Sequence, residues 1–192
     1  HKVLENKDVQ GVFIATPTHL HKQIALDAIA AGKHVYCEAP LSNTIEEAKD
    51  IAKAAAGAKT LFQPGLQMRC NMQTAHVHHF ILSQVAGRIT TARGQWHRNS
   101  SWRQAWPDPT REQELNWRLS RQISPGLLGE IGIHQIDTAT WYLNKMPKSV
   151  TGFSSQIVRV EDRDVPEATV TDATLADLLV AAAPLPWWRR RR

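Results

Sequence analysis

Two residues four apart, Glu130 and His134, form the pair in this 192-residue chain best suited to proton chemistry. An imidazole exchanges protons near neutral pH, which fits it to take a proton from a hydroxyl while other bonds change. On a helix, residues at i and i+4 share a face. The carboxylate can therefore hold or tune the ring, or hydrogen-bond a second hydroxyl. Gly126, Gly129 and Gly132, spaced by three, leave a smooth strip where backbone can approach a ligand or a neighbouring strand. The plainer reading is a helix packed closely through its glycines, with His134 satisfied in a core.

A second group of residues suits ligand binding. Trp96-His97-Arg98-Asn99, Trp102-Arg103 and Asn116-Trp117-Arg118 combine aromatic faces with multivalent donors. Sugar rings stack on such faces and present hydroxyls to such donors, so a carbohydrate pocket fits. An oligomer interface rich in Trp and Arg is the competing reading. Single-stranded nucleic acid also takes aromatics and arginine, but the charge argues against it. Four of the 23 basic residues are the terminal run 189–192, and the 19 others face 18 acids, a balance of +1. A body with that charge has no basic footprint for nucleic acid. His76, His78 and His79 lack a nearby cysteine or carboxylate ligand, and no metal is expected. Cys37 and Cys70 make neither a disulfide framework nor a C-x-x-C site. No apolar run is long enough for a membrane span.

The elements that must position these residues follow from the pattern. The run Gly11-Val12-Phe13-Ile14-Ala15 predicts a parallel strand buried on both faces. After Thr16-Pro17, Thr18 is placed to cap a helix over 19–31, with Gly32 at its end. A strand over 34–37 follows. Asn43 with Glu46 three residues on resembles a capping box opening a helix through 56. A third strand is expected over 60–63. This alternation is the half-Rossmann pattern of a doubly wound parallel sheet. The ten glycines include no G-x-G-x-x-G, so the pyrophosphate cradle is expected to be absent from this chain. Beyond 66 the reading is a helix capped at Asn71 or Thr74, a strand over 88–98, and a long polar segment over 99–124. A helix over 126–143 and a strand over 149–160 complete it.

These residues resemble the Gfo/Idh/MocA family of sugar and inositol dehydrogenases. One carrying stretch is Ala15-Thr16-Pro17-Thr18-His19-Leu20-His21 followed by Ala31-Gly32-Lys33-His34-Val35-Tyr36-Cys37-Glu38-Ala39-Pro40. The other is Gly126-Leu127-Leu128-Gly129-Glu130-Ile131-Gly132-Ile133-His134-Gln135-Ile136-Asp137. The resemblance covers about residues 8 to 158. It implies an α/β chain, a partial Rossmann doubly wound parallel sheet (1–65) followed by a partial α/β second domain (66–160), with an irregular tail (161–192).

It further implies NAD or NADP as cofactor, held at its nicotinamide side by Thr16, Pro17, Thr18, His21 and Glu38. Taken alone, Thr18 reads as a helix cap and His21 as a first-turn surface residue. His134 with Glu130 is implied as the catalytic pair, and Trp96, Arg98, Trp117 and Asp137 as contacts to a sugar, polyol or glycoside. Where the family carries Glu-Lys-Pro this chain has Glu38-Ala39-Pro40, so the charge and donor of the lysine are missing. Arg98, Arg103 and Arg118 are the cations that could substitute. The activity implied is hydride transfer between nicotinamide and a carbohydrate, impaired by Ala39 and truncation. An inert relic or oligomerisation module that keeps the fold is the alternative. A homo-oligomer in a cytoplasmic setting is implied, a periplasmic one being left open, with no nucleic acid and no membrane as partners.

Overall fold

The computed structural model describes residues 2–96, 104 and 108–151. Arg98, Trp102, Arg103, the tail and most of the strand expected over 149–160 lie outside these residues. The order is a short helix α1 (Lys2–Glu5), β1 (Gly11–Ile14), α2 (His21–Ala30), β2 (His34–Glu38), α3 (Ile45–Gly57) and β3 (Phe62–Gly65). Then come α4 (Met72–Leu82), α5 (Glu112–Leu115) and α6 (Ile133–Leu143). The three strands form one parallel sheet in the order β1-β2-β3, with Val12 opposite Val35 and Val35 opposite Phe62. Pro64, which has no ladder donor, sits on the edge strand β3, where that loss costs least.

Ile14, Val35 and Cys37 point to the sheet face covered by Ala25 and Ala28 of α2 and Ile51 of α3. Alanines let helix backbone approach the sheet closely. Each fully buried Val, Leu or Ile here contributes roughly 1.5–3 kcal/mol. The opposite face departs from expectation. A run buried on both faces was expected for β1, yet Phe13 is 66% exposed and stacks on Tyr36 at 4.2 Å between ring centroids. Among the described residues only one face of the sheet carries helices.

Capping also differs in two instructive places. A turn of 3-10 helix, Thr18–Leu20, precedes α2, and Leu20 stands at its start with no side-chain cap. Thr44, not Asn43, caps α3 by accepting from Glu47 N at 3.3 Å. Both displaced residues make long-range hydrogen bonds instead, described below. Asn71 caps α4 as expected, accepting from Gln73 N and Thr74 N. Residues 88–94 form no strand, and Gln95 contributes a single bridge.

Candidate active site

The β1 and β2 strands end side by side, and the loops that leave them are tied together by His21. This residue is 1% exposed, with Nδ1 2.9 Å from Pro40 O and Nε2 2.7 Å from Thr16 O. A neutral imidazole donates to only one of these carbonyls; the doubly protonated ring donates to both. His21, implied as a cofactor contact, therefore has both ring nitrogens engaged within the protein and sets the relative position of the two loops. Its burial also differs from the first-turn surface position that the local pattern suggests. Thr16 is exposed at the carboxyl end of β1, where ligands bind in doubly wound sheets. Glu38 closes β2, near the Tyr36 hydroxyl at 3.4 Å. A Cβ on Gly65 would lie 2.6 Å from Glu38 Oε2 and 2.7 Å from Glu38 Cα, so only glycine fits there.

The second signature segment folds onto these loops. Thr18 Oγ1 donates to Glu130 Oε1 at 3.0 Å, across 112 residues of chain. Asn43 Nδ2 donates to Ile123 O at 2.6 Å, joining the β2 loop to the same segment. Glu130 is 7% exposed. Ser124 Oγ stands 3.4 Å from Oε1, and Arg118 Nε 3.5 Å from Oε2. Burial pushes the Glu130 carboxyl above the ordinary carboxylate range, while Thr18, Arg118 and Ser124 pull it back down. The Arg118 guanidinium lies over the Trp117 ring at 4.3 Å, and His19 meets that ring edge-on at 6.0 Å.

Glu130 lies in a π-helical stretch, Leu128–Gly132, that runs directly into α6. The wide turn stands beside Pro125: a Cβ on Gly129 would sit 2.3 Å from the Pro125 Cβ, an impossible approach for any other residue. His134 follows one turn later, half-buried, with Nδ1 sealed and, among the described residues, without a partner. The spacing left the Glu130 carboxylate either to hold or tune this ring or to hydrogen-bond a hydroxyl; it accepts from the hydroxyls of Thr18 and Ser124. The pair shares one helix, but the acid is engaged by the β1 loop.

The other expected contacts are distributed unevenly. Trp117 is buried in the cluster just described. Asp137 is held by Arg69, whose Nε and Nη2 reach its two oxygens at 2.7–3.1 Å. Trp96 is half-buried and ends a segment whose Gly94 packs against Gln135, the neighbour of His134. Sequence reasoning missed the part played here by His19, Ser124 and Asn43: Asn43 carried the signal of a helix cap, His19 that of a first helical residue, and Ser124 only a polar side chain in a loop.

Among the described residues, Nδ1 of His19 and of His134, Oδ1 of Asn43 and Oε1 of Gln135 are buried polar atoms without hydrogen-bond partners. The family model described as the oxidoreductase family's NAD-binding Rossmann fold matches residues 1–66. That of the GFO/IDH/MocA C-terminal domain matches residues 74–182. The chain belongs to the Gfo/Idh/MocA oxidoreductase family. Members similar to it include levoglucosan dehydrogenase of Pseudarthrobacter phenanthrenivorans, 34% identical over 74% of this chain and 35% of that protein. A structure of levoglucosan dehydrogenase with NADH and levoglucosan has a TM-score of 0.62 at 32% identity, over 75% of this chain and 37% of that one. A 2,7-anhydro-N-acetylneuraminate hydratase of Escherichia coli is 28% identical over 78% of this chain and 37% of that protein. The chain thus spans little more than a third of the length of these relatives.

Proposed function

We propose that this chain is part of an NAD(P)-dependent oxidoreductase that moves hydride between nicotinamide and a carbon of a sugar, polyol or glycoside. The observation that carries this reading is the Thr18–Glu130 hydrogen bond, which brings the loop after β1 and the helix of His134 to one place. Thr16, Pro17 and Glu38 would hold the nicotinamide end of the cofactor, Thr18 would tie their loop to Glu130, and His21 would position the loops. When bound, the cofactor supplies the hydride acceptor or donor. His134 takes up the hydroxyl proton at Nε2, the nitrogen left free by its sealed Nδ1. Glu130 accepts a hydrogen bond from a neighbouring hydroxyl, and Trp96 would line the sugar side, while Trp117 and Asp137, engaged by Arg118 and Arg69, would brace it. Ala39 offers neither charge nor donor, and loss of such a group costs on the order of 10²–10³ in rate.

The chain divides at the end of β3 into a nucleotide-binding part (1–65) and a substrate part (66–160), with 161–192 as a tail. The gap between the two matched family regions, 1–66 and 74–182, falls just after β3, and the second region runs on into the stretch read as the tail. Homo-oligomers formed through the second part and a cytoplasmic setting complete the reading. No helix among the described residues is long and apolar enough to cross a membrane. The test is quenching or enhancement of NADH fluorescence on titration with the chain, repeated with levoglucosan present. Binding at micromolar concentrations supports the proposal; none at millimolar concentrations favours the second reading, an inert relic or oligomerisation module, for which Ala39 is the specific evidence.

A further inference from the structure

The carboxylate of Glu130 is the most demanding group in the site. It is almost fully buried, it faces hydroxyls of Thr18 from the β1 loop and Ser124 from the preceding turn, and His134 follows on its own helix. Two neutral hydroxyls do not balance a buried charge; such a group without a cation takes a proton instead. Ala39 on the β2 loop carries no charge. Among the described residues, the charged side chain that reaches Glu130 is Arg118, at 3.5 Å.

Arg118 is also held in place. Its side chain is 47% exposed, yet the guanidinium is laid over the buried Trp117 ring at 4.3 Å. That stacking costs the guanidinium little hydration and fixes the fork beside the carboxylate, which an ammonium does less well. Trp117 is in turn braced by His19 from the β1 loop. The arrangement therefore spans the seam between the strand loops and the helix of His134.

We propose that Arg118 is a positioning residue: stacked on Trp117, it keeps Glu130 an oriented anion at the seam, ready to accept a hydrogen bond from a hydroxyl of the bound carbohydrate. The hydroxyl part of this statement rests on the oxidoreductase reading above; the charge-holding part does not. Because the burial of Glu130 already favours its protonated form, removing the guanidinium moves the balance further the same way.

The experiment is a carboxyl titration of the whole chain labelled with ¹³C in the glutamate side chains, the Glu130 resonance being assigned through Glu130→Gln. Arg118→Met, which keeps a flexible apolar stem, is expected to raise the Glu130 midpoint, and Arg118→Lys to restore most of the original value. An unchanged midpoint in a folded Arg118→Met chain overturns the proposal. Should that variant not fold, the wild-type chain decides. Its Arg118 Nε resonance must shift as Glu130 titrates, and a resonance indifferent to that titration overturns the proposal equally. With levoglucosan as probe, Arg118→Met weakens binding about tenfold, the effect of one hydrogen bond to a charged acceptor. A wild-type chain that binds neither NADH nor levoglucosan, with the midpoint still raised in Arg118→Met, sinks the oxidoreductase reading and supports the charge-holding role of Arg118.

Discussion

Thr18 shows how a residue placed like a helix cap serves a tertiary purpose. The residue is 2% exposed and its hydroxyl is spent on Glu130, not on the first turn of α2. Thr18→Val keeps the shape but removes the shorter of the two hydroxyl hydrogen bonds to a buried carboxylate oxygen, and is expected to cost roughly 1–3 kcal/mol. Urea unfolding of Thr18→Val and Thr18→Ser measures this, with the serine variant retaining most of the stability. A loss in the serine variant with none in the valine variant would show that the methyl group, not the hydroxyl, matters. No local pattern could announce this bond, because its partner lies 112 residues away. Similarly, Arg69 and Asp137 were separate residues in the sequence and become one bidentate pair only through folding. By contrast His134 and Glu130 were legible from type and spacing, although the sharing of work between them was not.

At the scale of elements, the wide turn before α6 depends on Gly129. Gly129→Ala puts a Cβ into the Pro125 ring and is expected to destabilise by about 1–3 kcal/mol, as overpacking does. Its thermal midpoint against wild type tests this, and an unchanged value would mean that the turn relaxes freely. The packing of α4 on α6 carries a pH dependence of its own. His78 on α4 stacks on Trp141 at 4.4 Å and on Tyr142 at 5.9 Å, with His79 beside it and the Asp137-paired Arg69 over Trp141. Burial first, then the neighbouring His79, holds the His78 imidazole below its ordinary value, a backbone contact with Trp141 opposing them. The folded state thus binds this proton less readily than the unfolded chain. Stability is present above the ordinary imidazole range and falls as the pH drops through it, levelling off below the depressed folded value. Thermal midpoints between pH 5 and 8 are expected to fall less on acidification in His78→Phe, where the aromatic contact remains. An identical slope in the variant would assign the effect to another group.

For the molecule as a whole, the sheet and its two helices set what is sealed and what is open. Cys37 faces the α2–α3 side, and burial pushes its thiol up to about 12, with Glu38 adding to the effect, whereas Cys70 is exposed. Iodoacetamide at pH 8 is expected to modify one cysteine in the native chain and both in denaturant, read by intact mass. Rapid native labelling of Cys37 would show that the sheet and helices open readily. On the other side of the sheet, Phe13 and Tyr36 stack in the open, and the two-sided burial implied by a purely apolar run is not met within the described residues.

What the sequence determined alone is whatever short-range physics controls. The apolar runs of the first two strands, the helices between the strands, the Asn71 cap and the glycine that ends α2 each depend on neighbours within a few residues. So do the two signature segments, whose residue types disclose the family. Only the tertiary structure decided which polar groups meet: Thr18, Arg118 and Ser124 on Glu130, His21 between two loops, Arg69 on Asp137. Burial makes an unpaired polar group costly, so each such side chain is directed by whatever distant partner the fold brings near, and sequence spacing does not contain that information.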